Sequence, residues 1–186
     1  NQHKIILDLC GGTGAWSRPY IESGYDVRVV TLPDWDVMLE ETVRLCIGLK
    51  PHGILCATPC EVWGKMGQCR WKERTANDVL FHTILLVHNL RIIYETQPAW
   101  WCIENPPGKL EQMLGEPRFV FDAYHYGLPY HKKTMLWGRF TLPANPMQEG
   151  HPAIKDYVRG ALTKDRARMR SQTPAPFARV FFEANP

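Results

Sequence analysis

Residues 4–14 read KIILDLCGGTG, an apolar run that ends beside an acid and breaks at three glycines. Lys4 to Leu9 suits a strand buried on both faces, the kind found in parallel sheets. The turn that follows, Asp8-Leu9-Cys10-Gly11-Gly12-Thr13-Gly14, permits positive φ and lets a ligand approach the backbone closely. A helix expected over about Ala15 to Ser23 then points its N-terminal amides at the bound group. Strand, turn and helix together make a nucleotide-type cradle, with an ordinary glycine-rich turn as the plain alternative. The G-x-x-x-x-G-K-[ST] phosphate loop is missing, which argues against ATP chemistry.

Working outward, Gly24 ends that helix and Asp26 to Thr31, DVRVVT, gives a second strand, so the first unit is βαβ with a right-handed crossover. Asp34 and Asp36 follow Thr31-Leu32-Pro33; each can reach a cofactor or cap the helix expected from Val37 to Leu49. Gly53 to Ala57 forms a third buried strand, and Thr58-Pro59 ends its ladder so that Cys60 stands at the carboxyl edge. Ligands of open α/β sheets bind along that edge, which the glycine turn shares. Residues 61–75, EVWGKMGQCRWKERT, interleave Lys65, Arg70, Lys72 and Arg74 with Trp63 and Trp71. Such a loop suits phosphate contact and base stacking, or is a solvated loop pinned by its tryptophans.

Asn77 to Tyr94 carries the longest helical pattern, a core helix whose His82 and His88 read as structural. Trp100 to Ile103 makes a fourth strand, ending in Glu104-Asn105-Pro106-Pro107-Gly108. A carboxylate at the end of WWCI is costly to bury ionised, so Glu104 is expected protonated or hydrogen-bonded, or else caps a turn. Arg118 to Ala123 and Thr134 to Trp137 read as an antiparallel hairpin whose loop bears Lys132 and Lys133. Lys155, Arg159, Lys164, Arg166, Arg168 and Arg170 follow a nucleic-acid backbone in one reading and line a solvated helix in the other. Thr173 to Phe182 suggests an N-capped helix packing its phenylalanines on the core.

The 186 residues fit one domain, 1–186, able to bury a core without staples. Lys plus Arg exceed Asp plus Glu by only 22 to 19, too little to argue for nucleic acid from net charge. Six cysteines lie scattered without a C-x-x-C pair, which favours a reducing compartment and offers poor spacing for zinc, so no metal is expected. With no run near the ~20 apolar residues of a membrane span and no signal-peptide layout, the chain reads as soluble and cytoplasmic, with no membrane partner.

Taken in order and spacing, DLCGGTGAW, ATPCEVW, WCIENPPG and PYHKKTMLWG resemble the motif series of DNA cytosine-5 methyltransferases, most closely the short phage-type members. The likeness runs from Leu7 to Gly138, and TPAPFARVFFEANP is similar to the family's closing helix. It implies a class I S-adenosylmethionine-dependent methyltransferase fold, Rossmann-like α/β, with a mostly parallel sheet and an antiparallel hairpin at one edge. The cofactor, S-adenosylmethionine, would contact Asp8, Leu9, Cys10, Gly11, Gly12, Thr13, Gly14 and Trp16, with Thr31, Leu32, Asp36, Thr58 and Pro59. Cys60 maps to the nucleophile, Glu104 to the base-reading acid and Lys132 or Lys133 to the hairpin's basic position, with Lys132 the catalytic candidate and Asn105, Trp63, Lys65 and Lys133 facing substrate. Phage origin would put the chain in a bacterial host's cytoplasm.

Several positions depart from the family pattern. Thr31 replaces the second motif's acid, and the helix and strand that usually follow are shortened. Tyr130, Lys132 and Thr134 replace a glutamine-arginine pattern, and too few residues follow Gly138 for a separate recognition lobe. The resulting expectation is methyl transfer to DNA, with specificity low or lent by a protein partner. Cytosine nucleotides such as dCMP or dCTP, or a different transferred group, are the alternative within enzymes. A non-catalytic binding module on a decayed fold is the alternative outside them.

Overall fold

A computed structural model describes residues 1, 3–64, 71–128, 130–144 and 172–186. The expectations for Lys65, Cys69 and Arg70, and for the basic run from Lys155 to Arg170, lie outside the described residues.

Six strands form one sheet: β1 (Ile5–Leu9), β2 (Asp26–Val30), β3 (Gly53–Cys56), β4 (Trp100–Asn105), β5 (Phe119–Asp122) and β6 (Lys133–Arg139). Their order is β2-β1-β3-β4-β6-β5. The first four strands run parallel, and β6 is antiparallel to both β4 and β5. The hairpin therefore stands at one edge as expected, with its second strand inserted against β4. Parallel register aligns Leu9 with Cys56 and Cys56 with Ile103, so the loops after β1, β3 and β4 leave the sheet side by side.

Alternation along each strand divides the apolar residues between two faces. One face holds Leu7, Leu9, Ile54, Cys56 and Ile103. It is covered by α2 (Glu40–Gly48) and α3 (Ala76–Thr96), through Val43, Cys46, Leu86, Ile92 and Ile93. The other holds Ile6, Leu55, Trp100 and Cys102 against Tyr20 of α1 (Arg18–Glu22) and Phe177 and Phe181 of α5 (Ala175–Ala184). A short helix, α4 (Leu110–Leu114), follows β4.

Helix boundaries shift from expectation for local reasons. The first helix starts at Arg18, because residues 12–17 are taken up by the turn, and Pro19 in its first turn removes one amide. The second starts at Glu40, after a turn in which Asp36 Oδ1 accepts the Met38 amide at 2.9 Å. α3 starts at a capping box in which Thr75 and Asp78 exchange side-chain to backbone bonds of 3.2 and 2.8 Å. α5 begins after Pro174 without a side-chain cap, so the expected N-capping is not seen; aromatic packing holds it instead. Among the described residues no helix is long and apolar enough to cross a membrane.

Phe177 stacks on Phe121 with centroids 3.8 Å apart, tying the last helix to the hairpin. Because that ring is fully buried, Phe177→Ala should cost about 3–5 kcal/mol in urea unfolding. A loss under about 1 kcal/mol would show that α5 is not an integral layer of this core.

Candidate active site

The carboxyl end of β1 is built around a buried acid. Asp8 has no solvent exposure, and its Oδ2 accepts the Ser17 hydroxyl at 2.6 Å. Burial outweighs that hydrogen bond and pushes its carboxyl up to about 6. Gly11 lies directly over this carboxyl, where a Cβ would collide with it. Cys10, Gly12 and Gly14 all take positive φ, at 56°, 56° and 67°. Two internal bonds, Gly11 N to Asp8 O at 3.3 Å and Gly14 N to Gly11 O at 3.0 Å, fold the turn on itself.

Gly12 and Thr13 face solvent, and the space a Cβ would take at Gly12 is open. Asp8 Oδ1 and Asn89 Oδ1, both buried near Cys10, have no partner among the described residues. An open turn with unpaired polar atoms at its root fits a cofactor cradle. Within it, Asp8 acts from below rather than at the open side, and Leu9 is fully buried. Trp16 is only 2 % exposed and packs edge-on against Phe181 at 5.4 Å, so its ring belongs to the core rather than to an open site. Thr31 is half-buried and Leu32 exposed, while the carboxylate of Asp36 is engaged by Met38. Asp36 closes a local turn ahead of the helix and does not cap it, since the N-cap is Leu39 and no side chain caps that helix.

The loop after β3 is pinned from two sides. Asn105 donates from Nδ2 to the Thr58 carbonyl at 2.7 Å, and Gly64 bridges antiparallel to Gly108. A side chain at Gly108 would strike the Trp63 carbonyl, so glycine is what permits this approach. Thr58 is buried: its Oγ1 lies 3.2 Å from Cys56 Sγ and 3.5 Å from Asn89 Nδ2. Asn89 Nδ2 also points at Cys10 Sγ, 3.6 Å away. One amide thereby links the turn after β1 to the loop after β3.

Pro59 is half-buried and Cys60 exposed. Glu104 stands on the neighbouring strand, with Lys132 Nζ 3.9 Å from its Oε1 and both side chains little exposed. Burial pushes the Glu104 carboxyl above the usual range, and Lys132 opposes this. Partial burial also raises the Cys60 thiol, Glu104 and Glu61 raise it further, and Lys132 draws it down. Cys60, Glu104 and Lys132 therefore form one electrostatic cluster. The arrangement can present a thiol and a protonatable carboxyl to the same small molecule.

Other expected residues fall elsewhere. Lys133 is exposed in register with Asp122, leaving Lys132 as the hairpin lysine beside Glu104. Trp63 is buried at 5 %, so its ring is packed into the core rather than offered to a base. Asn105 is fully buried and holds Thr58, instead of facing outward. Sequence reasoning missed Ser17, Asn89 and Asp122. Asn89 carried a signal, a polar residue on the buried face of α3 between Leu86 and Ile93. Ser17 and Asp122 also make local turn contacts, to the Gly14 carbonyl and the Tyr124 amide, but the bonds that matter to the site, to Asp8 and to the Lys132 amide, join residues nine and ten positions apart.

No protein-family model matches the sequence, and no curated protein matches it. In structure the chain is similar to a candidate DNA modification methyltransferase encoded within an E. coli prophage, with a TM-score of 0.54 and 18% identity. The likeness covers 86% of this chain and 56% of that one, so the chain spans little more than half of that neighbour. At such identity it carries the fold and leaves each residue's role to the local chemistry. This six-stranded, mostly parallel sheet has the Rossmann-like α/β fold of the methyltransferase kind.

Proposed function

We propose that the chain methylates DNA, at carbon 5 of cytosine, through a covalent bond to Cys60. The observation that carries this reading is the convergence of Cys60, Glu104 and Lys132 at adjoining strand ends. The solved neighbour, a candidate DNA modification methyltransferase, favours DNA as the molecule that carries the base. Sequence specificity, in this reading, is low or is lent by a protein partner.

When bound at the 8–14 turn, S-adenosylmethionine supplies an electrophilic methyl group. Gly11, Gly12, Thr13 and Gly14 would hold it, with Asp8 and Ser17 bracing the turn from beneath. The chain's own contribution is to activate carbon 5, a poor nucleophile. Cys60 thiolate adds to carbon 6, and the displaced ring electrons make an enamine whose carbon 5 can attack. Glu104 in its protonated form donates to ring nitrogen 3 and stabilises the charge that arrives there. As carbon 5 takes the methyl group the proton at ring nitrogen 3 returns to Glu104; solvent water, as base, then takes the carbon 5 proton, and the electrons of that C–H bond restore the 5,6 double bond and expel Cys60 as thiolate.

Glu104 has a second role in the same step. As a carboxylate it raises the Cys60 thiol; as a neutral acid it does not. Its burial, which favours the neutral form, thus lowers the electrostatic cost of forming the thiolate beside it. Lys132 favours both ionised forms and so sets the balance between them.

Cys60→Ala should lower methyl incorporation into cytosine-containing DNA by on the order of 10⁴-fold or more. It should also abolish the denaturant-stable adduct with 5-fluorocytosine DNA; retained transfer by this variant would sink the covalent mechanism. Glu104→Gln removes a carboxylate near the thiol, so the midpoint of Cys60 alkylation by iodoacetamide, followed by mass spectrometry of its peptide, should move to lower pH. Transfer should fall by about 10²- to 10⁴-fold in the same variant. An unmoved midpoint would show that no Glu104 carboxylate faces the thiol over the pH range in which Cys60 ionises.

A further inference from the structure

The position of Lys132 depends on a residue outside the cluster. Asp122 is the last residue of β5, at the mouth of the hairpin. Its Oδ1 accepts the backbone amide of Lys132 at 3.0 Å and that of Tyr124 at 3.1 Å. Its Oδ2 meets His131 Nδ1 at 3.1 Å, and the Tyr124 and His131 rings lie 5.0 Å apart. From the other direction, the amide of Ala123 donates to the Lys132 carbonyl at 3.1 Å. Both backbone polar groups of Lys132 are thus fixed by two consecutive residues, one through its side chain.

A lysine at the start of an edge hairpin would otherwise have a mobile backbone and a long flexible stem. Here the ammonium lies 3.9 Å from Glu104 and within 3.2 Å of the Gln172 carbonyl. We infer that Asp122 is a positioning residue that locks the backbone of Lys132 and so keeps its ammonium beside Glu104, in electrostatic reach of Cys60. The groups around the Asp122 carboxylate are His131, the Lys132 backbone, Tyr124 and the register-paired Lys133. The consequence for catalysis rests on the cytosine methylation reading; the consequence for the thiol does not.

The sign of the effect makes the inference testable. Deleting the Asp122 charge alone would make a nearby thiol easier to ionise, whereas displacing Lys132 would make it harder. Asp122→Ala should therefore raise the pH midpoint of Cys60 alkylation, as should Lys132→Met. Asp122→Asn keeps an oxygen for the two amides and should not raise it. With DNA as substrate, kcat of Asp122→Ala should fall about 10- to 100-fold while KM moves by about twofold at most. Asp122→Asn should restore most of that loss, and thermal unfolding establishes that each variant is folded.

A midpoint in Asp122→Ala that stays put or falls overturns the inference. So does a midpoint in Asp122→Asn that rises as far as in the alanine variant, because an oxygen acceptor for the two amides would then not be what holds Lys132 in place. A rise confined to Asp122→Ala and Lys132→Met, in a protein that transfers no methyl to cytosine, would support the positioning role and refute the proposed function.

Discussion

Parallel pairing of β1, β3 and β4 is the constraint on which the site depends. β1 and β3 end level, with Leu9 beside Cys56, and β4 runs two residues further, from Ile103 beside Cys56 to Asn105. A glycine turn, a thiol loop and an acid are thereby delivered to one edge although some ninety residues separate the first from the last. The register can hold because both faces of the sheet are covered by apolar layers. A slip by one residue would turn Asp8 and Glu104 to the opposite faces of their strands and bury the wrong set of side chains.

Backbone pairing alone does not fix the loops beyond the strands; buried amides do. Asn105 holds the Thr58 carbonyl, and Asn89 reaches both Thr58 and Cys10 from the helix beneath. These groups lie in the interior, where an amide without a partner carries a desolvation penalty. Thr58-Pro59-Cys60 is consequently held between two strands' ends, and the glycine approach at Gly64 and Gly108 holds the far side of the same loop. Rigid support of this kind is what the proposed addition of the Cys60 thiol to a substrate carbon would require.

The opposite face of the sheet is aromatic. Trp16, Tyr20, Trp100, Phe121, Phe177 and Phe181 pack together, so the closing helix, the cofactor-type turn and the hairpin share one core. The hairpin that carries Lys132 is therefore anchored at its base by Phe121 and trimmed at its mouth by Asp122. Lys132, whose charge draws the Cys60 thiol down, sits on the stretch of chain held at these two points.

The sequence by itself determined the order of the central strands' elements and the polar residue at each strand end. Cys60, Glu104 and a hairpin lysine were legible because glycine, proline and apolar runs are local signals that punctuate the chain. Helix starts at Arg18 and Glu40 were misplaced by a few residues, since turn geometry at Ser17 and Asp36 is settled by bonds that a pattern does not display. Which of the candidate groups are buried and which are exposed follows only from the tertiary structure. Trp16, Trp63 and Asn105 looked like contacts and are buried, while Asn89 and Asp122 went unmarked and hold the loops. Burial and long-range hydrogen bonding depend on what the rest of the chain brings alongside, and no stretch of sequence contains that information about itself.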